Sequence, residues 1–356
     1  MRHLCDVAPE GALPYPVFSG SDATGALLSL WRRDWRQAVV IGDETTATLR
    51  GEALGAALQA RGCEVLTLRF PAGERHKTRA TKERLEDAMH AARIERGACV
   101  VAVGGGVVLD LAGFVAATYH RGIAHVNVAT TLLAQIDAAI GGKTGVDTPH
   151  GKNLVGAFHQ PRAVLLDHDA LATLPEDERR NGLAEAVKHA TLSDAGLFAT
   201  LEAWDGHGAL PSEDVIARCV AIKAEIVGKD ARDRGVRNTL NFGHTVAHAL
   251  EAASGHVLAH GRAVAIGLVV ESRVAAALGG FPPADVERIA ALLARLGLPT
   301  RPALPFSEAL PYFASDKKGS GSAIRCALPS RLGEVHPVDG SYTRSVTLEA
   351  LEAAWC

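Results

Sequence analysis

Short apolar runs separated by amphipathic stretches fill the first half of the chain. Ala38-Val39-Val40-Ile41-Gly42-Asp43 is an apolar run ending in Gly-Asp, the pattern of a strand buried on both faces of a parallel sheet. Helical periodicity follows over residues 50–61. Residues 64–70 read as a second strand, broken by Pro71 and Gly73, and 78–94 as a helix. Residues 98–103 form a third strand that stops at Gly104-Gly105-Gly106. A helix over 108–119 and a fourth strand over 125–129 come next. Strands alternating with helices of these lengths predict a Rossmann-like parallel α/β sheet.

Beyond about residue 175 the period becomes helical almost throughout: 178–191, 195–204, 212–229, 236–253, 260–278 and 284–296. Strand-like sequence returns only near Ile324 to Leu328. The change of pattern falls at Thr173-Leu174-Pro175. It predicts an α/β domain over 1–174 and an all-α domain over 175–356. Two domains also suit a chain of 356 residues.

Composition narrows the partners. The net charge of −3 and a pI near 6.6 give no electrostatic footprint for nucleic acid or an acidic membrane. Local clusters of Lys and Arg are then expected to serve a small anion. Six cysteines (Cys5, Cys63, Cys99, Cys219, Cys326, Cys356) show no CxxC spacing, which predicts reduced thiols and a cytoplasmic setting. The first residues lack the apolar core of a signal peptide, and no run reaches the ~18 apolar residues of a membrane span.

Candidate chemistry concentrates in Asn241-Phe242-Gly243-His244-Thr245-Val246-Ala247-His248 and the following His260-Gly261. Histidines four apart share one helix face. With Glu185, in Leu183-Ala184-Glu185, they form a set of imidazoles and a carboxylate that suits zinc or a similar divalent ion with an open coordination position. Gly104-Gly105-Gly106 sits where backbone amides and a helix N-terminus favour a pyrophosphate, although the GxGxxG fingerprint is missing. A tight strand-to-helix turn would look the same. Asp43 is placed either to bind a ribose hydroxyl or to cap the next helix. The polar loop 71–77, carrying Glu74 and Lys77, follows a strand, where ligand crevices form. Gly141-Gly142-Lys143-Thr144-Gly145 and Gly151-Lys152-Asn153 read as a long glycine-rich connection offering two lysines to phosphate; the spacing is not that of a Walker A loop. Lys223 and Arg237 flank a charged turn and could hold a carboxylate, and Asp316-Lys317-Lys318 is either a surface charge run or an anion clamp.

Taken in order, these blocks resemble the 3-dehydroquinate synthase family of sugar phosphate cyclases. The resemblance also rests on Asp110-Leu111-Ala112-Gly113-Phe114 and on Thr130-Thr131-Leu132-Leu133-Ala134-Gln135-Ile136-Asp137, and it runs from about residue 38 to 340. It implies an NAD-binding α/β domain, a helical metal-binding domain, zinc or cobalt, and a homodimer. The implied substrate is 3-deoxy-D-arabino-heptulosonate 7-phosphate and the products are 3-dehydroquinate and phosphate. The implied metal ligands are Glu185, His244 and His260. Phosphate would meet Lys143, Asn153 and one of Lys317 or Lys318, with Arg121 reaching across from the partner subunit. Lys223 and Arg237 would hold the carboxylate, and Asp137, Lys188, Asn241 and His248 would order hydroxyls and water. The implied NAD contacts are Asp43, Glu74, Lys77, Gly105, Gly106, Asp110, Thr130, Thr131, Lys152 and Thr173. Asp233, Arg262, Leu109 and His189 depart from the usual family residues. They keep open an amino-dehydroquinate synthase or another specialised cyclase; a metal-dependent polyol dehydrogenase is a more distant alternative.

Overall fold

Valine, alanine and isoleucine dominate the segments that must be buried on both faces, and these become the central strands. The computed structural model describes residues 1–205, 210–313 and 323–356. Lys317 and Lys318 lie outside the described residues. The chain divides into two units: Met1–Pro175 with Lys223–Ala231, and Glu176–Ile222 with Arg232–Cys356.

The first unit contains nine strands: β1 (Arg2–Val7), β2 (Tyr15–Gly20), β3 (Gln37–Asp43), β4 (Glu64–Phe70), β5 (Cys99–Gly104), β6 (Ala124–Ala129), β7 (Lys143–Thr148), β8 (Gly151–Phe158) and β9 (Val164–Asp167). Seven of them form one sheet in the order β1-β2-β9-β6-β5-β3-β4. Every pairing is parallel except β1 with β2. β5 and β9 are buried along their whole length. Val40, Val101, Val103, Val126, Val128 and Leu165 pack with Leu54 and Leu58 in one apolar cluster. Each such fully buried side chain is worth ~1.5–3 kcal/mol.

The parallel strands end at one edge of the sheet. From β3 the chain steps outward to β4, then returns to place β5 on the other side of β3. The carboxyl ends of β3 and β5 therefore flank a topological switch point, where α/β sheets open a ligand crevice. Asp43 and Gly104-Gly105-Gly106 stand there. The glycine-rich connection expected over 141–153 is instead an antiparallel hairpin of β7 and β8. A Cβ on Gly156 would fall 2.0 Å from the Thr144 carbonyl oxygen, so glycine is what lets these strands pair so closely. The same glycines suppress the strand signal in the sequence.

The second unit is helical apart from an antiparallel pair, β10 (Ala323–Cys326) and β11 (Arg344–Thr347). Two of its helices are buried nearly all round. In Glu176–Ser193 every residue from Asn181 to Leu192 is buried. In His260–Ala277 only Arg262 and Arg273 escape burial between Gly261 and Ala275. The helix expected over 236–253 is broken. A 3-10 segment, Val236–Asn241, is followed by Phe242 and left-handed Gly243, and a new helix starts at His244 (His244–Ala253). Glycine allows that turn at φ 80, which a side chain would strain.

Candidate active site

Three helices bring the metal-type residues of the second unit together. Glu185 sits mid-way along the buried Glu176–Ser193 helix and is 1% exposed. His244 and His260 are each the first residue of a helix. Gly261 explains the approach of His260: a Cβ there would lie 2.3 Å from the Asn181 carbonyl oxygen, one turn before Glu185. The His260 helix thus rests its backbone directly on that of the Glu185 helix.

Both imidazoles turn Nε2 inward. His244 Nε2 is 3.4 Å and His260 Nε2 3.3 Å from Glu185 Oε1, and one ligand atom from each of the three residues lies within 4.8 Å of the others. Each Nδ1 faces an acceptor. The Phe242 carbonyl is 3.2 Å from His244 Nδ1, and Glu251 Oε1 is 3.4 Å from His260 Nδ1. Such outer acceptors keep the proton on Nδ1 and leave Nε2 free for a cation. Burial disfavours a charged His260, yet Glu185 and Glu251 outweigh it and push its pKa up to about 9. For His244, burial and the Lys188 ammonium prevail over Glu185 and move its pKa down. Positive charge is therefore favoured at His260, between Glu185 and Glu251, and disfavoured at His244. Two nitrogens and a carboxylate oxygen at these separations fit a divalent ion such as zinc or cobalt.

Around this cluster, Lys188 is buried and pairs with Glu185. The His248 ring lies edge-on, 5.5 Å from that of His244, one turn along the same helix. Asn241 closes the 3-10 segment, and Arg237 in the same segment is buried. Among the residues that depart from the family pattern, His189 is buried, whereas Arg262 points outward to Asp177 at 3.9 Å and is 40% exposed.

In the first unit Lys77 is the hub. It is 3% exposed, donates to Asp110 at 2.6 Å and to Asn153 Oδ1 at 2.6 Å, and lies 3.7 Å from Glu74. Lys152 also reaches Glu74, at 3.7 Å. Asp147 ties the hairpin to this hub: its amide donates to the Lys77 carbonyl, and its carboxylate accepts from the Asn153 amide at 2.9 Å. Burial opposes the Lys77 charge, but Asp110 and Glu74 carry its pKa well above the usual lysine range. Burial pushes the Asp110 carboxyl up against the pull of Lys77.

Gly105 caps the helix Gly106–Thr118 without a side chain of its own. A Cβ on Gly105 would come within 2.9 Å of Thr131. Thr130 is buried at the end of β6. Asp43 closes a capping box with Thr46, so its side chain does cap the following turn. Lys223 pairs with Asp137 at 2.7 Å within this unit. Lys143 opens β7 on the surface. Arg121 is exposed at φ 66, and Thr173 lies in an exposed turn where its hydroxyl donates to the Ala170 carbonyl.

Sequence pattern gives no role to Asp147 or Glu251. Glu251 lies two helical turns beyond His244, so its spacing alone could have placed it on the histidine face.

The class is that of chains combining a parallel α/β sheet, with a glycine turn at its switch point, and a helical unit that carries an imidazole–carboxylate cluster able to hold a divalent ion. Models of the 3-dehydroquinate synthase N-terminal and C-terminal families match residues 67–181 and 182–319. A 3-dehydroquinate synthase of Symbiobacterium thermophilum is 44% identical over 331 residues, spanning 90% of this chain and 92% of its own. The 2-epi-5-epi-valiolone synthase of Streptomyces hygroscopicus, solved with NAD+ and Zn2+ bound, is similar with a TM-score of 0.83 and 31% identity over 98% of this chain and 97% of its own. A 2-deoxy-scyllo-inosose synthase complexed with carbaglucose-6-phosphate, NAD+ and Co2+ shares the fold at a TM-score of 0.90 and 24% identity, over 98% of each chain. The chain belongs to the 3-dehydroquinate synthase family and is an enzyme.

Proposed function

We propose that this enzyme converts 3-deoxy-D-arabino-heptulosonate 7-phosphate to 3-dehydroquinate and phosphate. The observation that carries the reading is the convergence of Glu185, His244 and His260 in a chain of this family. When bound, a zinc or cobalt ion acidifies a substrate hydroxyl, and NAD accepts a hydride and later returns it.

The protein's own part is mainly to hold one flexible molecule through several steps. Glu185, His244 and His260 would hold the metal, with Glu251 and the Phe242 carbonyl fixing the two rings. Asp43, Glu74, Lys77, Gly105, Gly106, Asp110, Thr130, Thr131, Lys152 and Thr173 would hold NAD. Lys77 supplies the positive charge that keeps Asp110 and Glu74 together there. Lys143, Asn153 and one of Lys317 or Lys318 would bind the phosphate, assisted by Arg121 of the other subunit in a homodimer. Lys223 and Arg237 would hold the substrate carboxylate, a group that a purely polyol substrate lacks. Asp137, Lys188, Asn241 and His248 would orient hydroxyls and water. Oxidation of one hydroxyl acidifies the neighbouring C–H, phosphate leaves, and the opened ring closes by an internal aldol step after the hydride returns. The cytoplasm is the proposed location.

The test is incubation of metal-loaded enzyme and NAD with 3-deoxy-D-arabino-heptulosonate 7-phosphate. The reading predicts equal amounts of phosphate and 3-dehydroquinate with no net NADH. Turnover only of an amino-substituted or carboxylate-free sugar phosphate would assign a specialised cyclase instead, and steady NADH accumulation with a polyol would assign a dehydrogenase.

A further inference from the structure

Glu271 is fully buried on the His260–Ala277 helix, and no cation pairs with it among the described residues. Its two oxygens face the start of the neighbouring His244–Ala253 helix. The Gly243 amide donates to Oε2 at 2.7 Å and the Val246 amide to Oε1 at 3.1 Å. The Thr245 amide adds its pull on the same carboxylate. That helix has no side-chain cap of its own, so its first amides depend on a group from another helix. A carboxylate there also meets the positive end of the helix dipole.

The backbones are in contact at the same place. A Cβ on Gly267, one turn before Glu271, would lie 1.9 Å from the Gly243 carbonyl oxygen. Gly267 and Glu271 thus hold one residue, Gly243, from one helix, the first at its carbonyl and the second at its amide. His244 follows Gly243 directly, and His260 is the first residue of the gripping helix. Burial pushes the Glu271 carboxyl up from its ordinary value, against the amides that pull it down. Burying a carboxyl this deeply is costly, and no feature of the proposed chemistry uses it. A hydrophobic side chain here would leave the amides without an acceptor.

We propose that Glu271 is a positioning residue for the metal centre: it ties the start of the His244 helix to the His260 helix and so sets the separation at which the two imidazoles meet Glu185. This rests on the metal reading of Glu185, His244 and His260.

The full-length protein is titrated with cobalt(II) alone, in competition with a chelator, and its visible absorption bands are recorded. Wild type, Glu271→Gln, Glu271→Asp, Val270→Ala and His260→Ala are compared. Glu271→Gln keeps the shape but places an amino group against a backbone N–H. It is expected to weaken cobalt binding about 10- to 100-fold and to shift the cobalt bands. Glu271→Asp keeps two acceptors and should recover part of the affinity. Val270→Ala, a buried truncation on the same helix, should lower the melting temperature and leave both readouts unchanged. Wild-type affinity and bands in Glu271→Gln, or an equal loss in Val270→Ala, would make Glu271 an ordinary core residue. If the Gln variant does not fold, Glu271→Met takes its place, and wild-type affinity and bands in that variant would equally overturn the positioning role. Equal cobalt binding by wild type and His260→Ala would instead overturn the metal reading itself, and the proposal with it.

Discussion

At the residue scale, much of the polar chemistry is buried, and burial sets its behaviour. His125 on β6 is 1% exposed and stacks on His159 with ring centroids 5.0 Å apart. Burial, with His159 and Arg162 adding to it, pushes its pKa down to about 3 from 6.5. The folded protein therefore keeps His125 neutral while the unfolded chain takes up a proton. Its contribution is fully present above about pH 6.5 and is lost as pH falls towards about 3, at up to ~1.4 kcal/mol per pH unit. Urea unfolding across that window should show a flatter acid slope for His125→Asn; an unchanged slope contradicts the assignment. Lys77 is a second case. Lys77→Met would leave Asp110, whose side chain is 20% exposed, without its ammonium, at a cost of ~1–3 kcal/mol in unfolding free energy. It should also weaken NAD binding by ~10-fold or more, the equivalent of ~1.4 kcal/mol, as read by calorimetric titration. The histidine spacing and the strand-to-helix turn at Gly104-Gly105-Gly106 were legible in the sequence. The buried acids were less so. Glu271 stands in Val269-Val270-Glu271-Ser272, and the signal was a lone carboxyl within an apolar helix; only the neighbouring amides explain it.

At the element scale, the strands β3 to β6 and most helices followed from apolar runs and helical period, because each is strongly patterned. Three kinds of element escaped. β1 and β2 interrupt their apolar residues with Arg2, His3, Asp6 and Pro16, and β9 is only four residues long. The β7–β8 hairpin hides behind the glycines that let its strands touch. The break at Phe242-Gly243 interrupts a run whose period looks continuous, and it matters most, since it makes His244 the start of a helix. Helix contact at glycine gives the sharpest prediction here. Gly261→Ala would drive a methyl to 2.3 Å from the Asn181 carbonyl oxygen and force the His260 and Glu185 helices apart. The expected result is a loss of ~1–3 kcal/mol of stability and weaker metal binding. Wild-type cobalt affinity in that variant would show that the helix contact does not set the site.

At the scale of the whole molecule, the chain order of the elements is what distributes the functional residues. The helix Glu213–Lys229 begins in the second unit, but its end, from Lys223, belongs to the first, where Lys223 meets Asp137. Sequence pattern locates the helix but not this assignment, which depends on tertiary packing. If the protein is a homodimer, sedimentation should give twice the 37.3 kDa chain mass, and a single-chain mass would remove Arg121 from the proposed phosphate site. The central claim is that sugar phosphate cyclisation runs on the cluster of Glu185, His244 and His260. Its most direct test is phosphate release from 3-deoxy-D-arabino-heptulosonate 7-phosphate, with NAD and metal present, by wild type and His260→Ala side by side. The account predicts rapid release with 3-dehydroquinate formed by wild type, and none by a folded His260→Ala protein. Near wild-type release by that variant would contradict it.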